Sequence, residues 1–116
     1  MNYSESIAYL YGLQKFGIKL GLNTIKRLLS SIGNPHKKFP SIHIAGTNGK
    51  GSTAAFLASV LTEAGYKTGL YTSPHLLSFN ERIKVGSRTI SKKDVVRLTT
   101  LLQKKSRGFA SITYFE

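Results

Sequence analysis

The residues best equipped for chemistry are Gly46-Thr47-Asn48-Gly49-Lys50-Gly51-Ser52-Thr53. A polyphosphate carries several negative charges that have to be neutralised without bulk. Glycines let backbone N–H groups converge on phosphate oxygens, because no Cβ stands in the way. A helix beginning here adds N–H donors without intrahelical partners and the positive end of its dipole. Lys50 offers a mobile cation to the β and γ phosphates, and a nearby Ser or Thr hydroxyl can hold Mg2+. The segment departs from the general P-loop pattern in two places. Ile44 stands where the first glycine would be, and Gly51 stands where a Ser or Thr would follow the lysine. The plain alternative is an ordinary βα turn with a surface lysine. That alternative leaves unexplained the three glycines, the lysine between two of them, the paired hydroxyls and the helix start.

A second candidate is Thr72-Ser73-Pro74-His75. It follows an apolar run that reads as a strand, and ligands of open α/β sheets bind outside the C-terminal ends of strands. The Ser73 hydroxyl there is a candidate Mg2+ ligand, since that ion takes oxygen donors and few of them from protein. A plain Ser-Pro turn, with His75 as a structural loop residue, is the other reading. Asn80-Glu81-Arg82 follows, either as a surface charge pair or with Arg82 steering an anionic substrate.

The elements that would position these groups are readable from period and punctuation. Ser4 caps a first helix over residues 6–15, and residues 17–21 form a loop. Leu22, Ile25, Leu28, Leu29 and Ile32 keep helical spacing, with Asn23 or Thr24 near the start. Gly33-Asn34-Pro35 ends that helix. Residues 37–40 are a basic connector. The run Ser41-Ile-His-Ile-Ala45 predicts a buried strand, residues 52–64 a helix closed by Gly65, and residues 68–72 a second strand. Strand, turn, helix and strand in about 30 residues make a βαβ unit, with parallel strands and a right-handed crossover. In the helix, Phe56, Leu57, Val60, Leu61 and Ala64 are expected on the apolar side. Residues 82–85 and 88–90 around Gly86-Ser87 predict a hairpin. Ser91, with Asp94 three residues on, starts a last helix to about residue 105. Residues 112–116 begin a further element, and one βαβ unit leaves a parallel sheet short of strands. The chain therefore reads as the N-terminal part of a longer protein.

Composition narrows the class. The 116 residues carry 17 Lys and Arg against five Asp and Glu, a net charge of +12, with 41% hydrophobic residues and no cysteine. That is too apolar for a disordered tail and excludes disulfides, thiolate metal sites and a cysteine nucleophile. No stretch approaches the roughly 20 apolar residues of a membrane span, and no signal peptide is readable at the start. A soluble, cytoplasmic, basic domain with anionic ligands is expected. The basic residues come as scattered pairs, Lys26-Arg27, Lys37-Lys38, Lys92-Lys93 and Lys104-Lys105, which read as solvated faces more than as a nucleic-acid track.

Three stretches in order, Ile42 to Thr53, Gly65 to Leu76 and Phe79 to Ile83, closely resemble folylpolyglutamate synthase and the bifunctional dihydrofolate synthase of bacteria, in the Mur ligase superfamily. The resemblance implies an α/β fold, a P-loop-type parallel sheet with flanking helices, incomplete in this chain. Residues 1–116 would form the N-terminal part of the ATP-binding domain. It implies an ATP-dependent amide ligase that phosphorylates a folate carboxylate and joins L-glutamate to the acyl phosphate, with dihydropteroate as a second acceptor left open. Thr47, Asn48, Gly49, Lys50, Gly51 and Ser52 match the ATP loop, and Lys50 is the catalytic cation. Ser73 and Glu116 match magnesium ligands. Gly12, Leu13, Gln14 and Lys15 fall where the family builds its pterin pocket, and residues 76–82 resemble its omega loop. ATP and Mg2+ are the implied cofactors. The implied partners are folate or dihydropteroate, L-glutamate and ATP, with no nucleic acid, no membrane and a monomeric state. Other residues of the family's site would lie beyond residue 116, so this segment alone is expected to be inactive. Another Mur-type ligase and a non-catalytic nucleic-acid-binding module are the alternatives.

Overall fold

The structure is a computed structural model and describes residues 1–17, 21–75, 77–108 and 112–114. The chain forms two compact units, one of Met1–Pro40 with Lys93–Glu116 and the other of Ser41–Lys92.

In the first unit, α1 spans Tyr3–Gly12. Its cap is Asn2, not Ser4. The Asn2 backbone is extended and its Oδ1 accepts from the Glu5 N–H at 2.8 Å. Asn is among the strongest N-cap residues, and Glu5 adds a favourable charge at the positive end of the dipole. Ser6, expected at the helix start, is fully buried one turn in, and its hydroxyl donates to the Asn2 carbonyl at 2.9 Å. The helix tightens into a 3-10 turn over Leu13–Phe16, where Lys15 Nζ sits 5.1 Å from the Phe16 ring centre. Gly17, at φ 69°, ends it.

The second helix, α2, spans Asn23–Ser31 and buries Leu28. It closes as the sequence predicts. Gly33 N–H donates to the Ser30 carbonyl and Asn34 N–H to the Leu29 carbonyl, the paired bonds of a Schellman motif, with Gly33 at φ 88°. Pro35 then opens a 3-10 turn over Pro35–Lys37. The last helix of the chain, Lys92–Lys105, belongs almost entirely to this unit; it buries Val95 and Thr99, four residues apart on one face. Lys104 and Lys105 lie at its negative end, where cations stabilise it. The Tyr11 and Tyr114 rings meet at 5.8 Å between centres.

The second unit holds α3, Lys50–Glu63, and a sheet of β1 (Gly69–Tyr71), β2 (Ile83–Val85) and β3 (Arg88–Thr89). With these in place the Lys92–Lys105 helix is α4. α3 begins two residues earlier than the sequence predicts and ends at Gly65, φ 94°, with a second Schellman pair to Thr62 and Leu61. It lies against β1. The sheet is an antiparallel meander in the order β1-β2-β3, with Leu70 opposite Lys84 and Val85 opposite Arg88. The hairpin at Gly86-Ser87 forms as expected, with Gly86 at φ 63° in its first turn position, as a type II′ turn requires.

Residues 41–45 depart from expectation. They are not a strand, and Ile42 is 66% exposed. A β-branched run is a strand only when a neighbour completes its ladder, and none pairs with it among the described residues. The parallel pairing with β1 is accordingly not formed. The apolar side of α3 is also narrower than expected. Ala54, Leu57, Ala58 and Leu61 are half-covered, whereas Phe56 and Val60 are 74% and 63% exposed. Among the described residues, no helix is long and apolar enough to cross a membrane.

Candidate functional site

The strongest site is the turn into α3. Gly46 and Gly49 hold positive φ, 153° and 75°, conformations that a Cβ disfavours. A Cβ built on Gly46 would meet only the Lys50 side chain, at 3.9 Å, so backbone freedom rather than space calls for glycine there. Residues 46–53 are all exposed. Thr53 N–H donates to the Gly49 carbonyl, the first bond of the helix. The N–H groups before it have no side-chain cap, and the first turn holds no acidic residue.

Three features of this helix start oppose helix stability. It lacks a cap. It places the Lys50 cation at the positive end of the dipole. It carries Gly51 inside the helix, where an added Cβ would meet nothing within 4 Å. Gly51 alone costs the helix about 1 kcal/mol relative to alanine. α1 solves the same problem with Asn2 and Glu5. An anion held by the free N–H groups and Lys50 would turn each of the three features to advantage: donors left open, charge complementary, backbone approachable. Lys50 forms no ion pair among the described residues.

The second candidate lies two residues past β1. Ser73 is exposed and joined to Pro74 by a cis peptide. β1 lies against α3, and Ser73 follows the end of β1 by two residues. The loop beyond it is tied at several points. Thr72 N–H donates to the Arg82 carbonyl at 2.9 Å. Arg82 Nε donates to His75 Nδ1 at 2.8 Å, which leaves the His75 ring proton on Nε2. Phe79 packs against both, 6.2 Å from the His75 ring centre and 5.5 Å from the Arg82 guanidinium carbon. Glu81 Oε2 accepts from Leu77 and Ser78 N–H and completes a capping box with Ser78 for the turn Phe79–Arg82. Asn80 is buried and donates to the Ile90 carbonyl at 2.7 Å.

Sequence reasoning left Glu81 as half of a surface pair with Arg82; it is a capping residue. The Ser-x-x-Glu spacing of a capping box was the available signal. Of the predicted site residues, Thr47, Asn48, Gly49, Lys50, Gly51 and Ser52 come together in one turn and helix start, and Ser73 lies in the same unit. Gly12 ends α1, and Leu13, Gln14 and Lys15 form the 3-10 turn after it, in the other unit. Glu116 lies outside the described residues. Among the described residues no group of three or more His, Asp or Glu gathers as a metal site. The donors present, the exposed hydroxyls of Thr47, Ser52, Thr53 and Ser73, are oxygen donors of the kind Mg2+ takes.

No protein-family model matches the chain. Individual proteins do. The chain is 45% identical over 101 residues to dihydrofolate synthase/folylpolyglutamate synthase of Bacillus subtilis, covering 87% of this chain and 24% of that protein. It is 37% identical to folylpolyglutamate synthase of Lacticaseibacillus casei, covering all of this chain and 28% of the other. In fold it matches the apo form of the L. casei enzyme with a TM-score of 0.90 at 34% identity, over 99% of this chain and 30% of that one. The folylpolyglutamate synthase of Thermotoga maritima follows with a TM-score of 0.84 at 40% identity, over 97% and 27%. Matching solved structures also include an FPGS–AMPPCP complex and an FPGS–AMPPCP–folate complex, each at 34% identity. The α/β class with an incomplete sheet is thus the part of that fold the chain carries. In sequence and in fold the chain matches the folylpolyglutamate synthase/dihydrofolate synthase family, over a segment about a quarter the length of the Bacillus relative.

Proposed function

We propose that this chain is the nucleotide-gripping portion of an ATP-dependent carboxylate–amine ligase that adds L-glutamate to a folate. Residues 1–116 would then be the first part of its ATP-binding domain. The observation that carries this reading is the uncapped, lysine-bearing, glycine-containing start of α3, which is poor as a helix start and good as a phosphate cradle. Mg2+, when bound, would supply charge neutralisation at the phosphates, with Ser73 and Glu116 as its proposed ligands.

The chain's own residues would act as follows. N–H groups of residues 47–52 bind and orient the triphosphate. Lys50 places its ammonium against the γ-phosphoryl group, where negative charge shifts as the group passes to the folate carboxylate. The amine of glutamate then attacks the resulting acyl phosphate, giving an amide and releasing phosphate. Gly12, Leu13, Gln14 and Lys15 are proposed to contribute to the pterin pocket. The other substrates would be folate, with dihydropteroate as a further acceptor, and the protein would act as a monomer in the cytoplasm. The +12 charge favours approach of ATP and a polyglutamate tail.

The test is glutamate addition to tetrahydrofolate and to dihydropteroate by a protein carrying this segment, with and without Lys50→Ala. ATP-dependent amide formation that the substitution abolishes is expected. Turnover that Lys50→Ala leaves intact would overturn the assignment. The 116 residues alone are expected to show no turnover.

A further inference from the structure

The chain has five asparagines, and four are chemically protected. Asn2 has its Oδ1 engaged as the α1 cap. Asn23 lies at the start of α2 and precedes β-branched Thr24. Asn34 precedes Pro35, whose nitrogen has no hydrogen to lose. Asn80 is 7% exposed and its amide donates to the Ile90 carbonyl. Asn48 is the asparagine followed by glycine. It is exposed, lies outside regular structure and precedes Gly49, which has no Cβ to hinder attack by its nitrogen. Gly49 also immediately precedes Lys50 at the positive end of α3, a field that favours loss of the Gly49 amide proton.

We propose that Asn48–Gly49 is a site of spontaneous deamidation that switches the phosphate loop off with age. The deprotonated Gly49 nitrogen attacks Asn48 Cγ and forms a five-membered succinimide. The Cγ–Nδ2 bond breaks, and that nitrogen takes up a proton and leaves as ammonia. Water then opens the ring at either carbonyl and leaves an aspartyl or isoaspartyl residue at position 48, with no change of oxidation state. Either product puts a carboxylate among the N–H groups of the cradle, and the isoaspartyl form also lengthens the backbone by one methylene. The loss of anion binding rests on the phosphate-loop reading above; the deamidation does not.

The test ages the purified chain in mildly alkaline buffer, digests it with trypsin and follows peptide 39–50 by mass spectrometry, with and without saturating Mg2+ and ATP. Conversion at Asn48 many-fold faster than at the other four asparagines, absent in Asn48→Gln and slowed by nucleotide, is expected. An Asn48 that keeps its amide as long as the others do overturns the proposal. Conversion confined to Asn48 but unaffected by nucleotide upholds the deamidation and contradicts the phosphate-loop reading, so the two fail separately.

Discussion

On the proposed reading, Lys50 and Gly51 make opposed contributions to stability and to nucleotide binding, and that opposition is measurable. A cation at a helix N-terminus is unfavourable by about 0.3–1 kcal/mol, so Lys50→Ala should leave thermal stability unchanged or slightly raised. If Lys50 grips the nucleotide as proposed, the same substitution should lower nucleotide affinity roughly tenfold to a hundredfold, since a charge-assisted hydrogen bond is worth about 1.5–3 kcal/mol. Gly51→Ala should stabilise α3 by about 1 kcal/mol and yet weaken nucleotide binding, because the added Cβ meets nothing in the chain and would meet only the ligand. Thermal melts paired with nucleotide titrations check both. A parallel loss of stability and binding would mean these residues serve the fold. Gly49 differs from Gly51, since its φ of 75° makes Gly49→Ala costly by about 1–2 kcal/mol whatever the ligand.

At the scale of elements, the loop after β1 owes its shape to a few polar ties. Glu81→Ala removes the carboxylate that accepts from Leu77 and Ser78 N–H. Loss of such a cap costs about 0.5–2 kcal/mol, and amide exchange at residues 77 and 78 should quicken while exchange along α3 stays unchanged. Equal protection in both proteins would show that the capping box does not order the loop. What was legible in the sequence follows the same division. Stops at Gly33 and Gly65, the Gly86-Ser87 hairpin and the glycine-rich turn were readable because each is local chemistry. Ser4 and Asn2 both fit a cap, and only the backbone geometry chose Asn2. The run at residues 41–45 could not be settled locally. Its β-branched residues specify a strand, but a ladder belongs to two segments, and the partner is not among the described residues.

Across the whole molecule, the apolar core is small for the apolar content. Leu28 and Val95 are the buried hydrophobic side chains among the described residues, whereas Ile42, Phe56, Val60 and Leu77 are 63–93% exposed. Folding free energy is a small difference between large terms, so so little burial predicts a marginally stable chain. Leu28→Ala, which costs about 2–5 kcal/mol at well-packed sites, should leave the first unit largely unfolded at room temperature, as circular dichroism would report. The exposed apolar side chains should also bind a hydrophobic dye in the native chain. A sharp, high-melting transition without dye binding would show a better-buried core than this one. The segment matched is about a quarter of the Bacillus relative and under a third of the L. casei one.

The most direct test of the phosphate grip is to titrate Mg2+ and ATP into the isotopically labelled chain at low salt and follow every backbone amide by NMR. The account predicts saturable shifts centred on residues 46–52, lost in Lys50→Ala. Shifts centred instead on the Lys92-Lys93 or Lys104-Lys105 pairs, with the glycine turn unmoved, would contradict it.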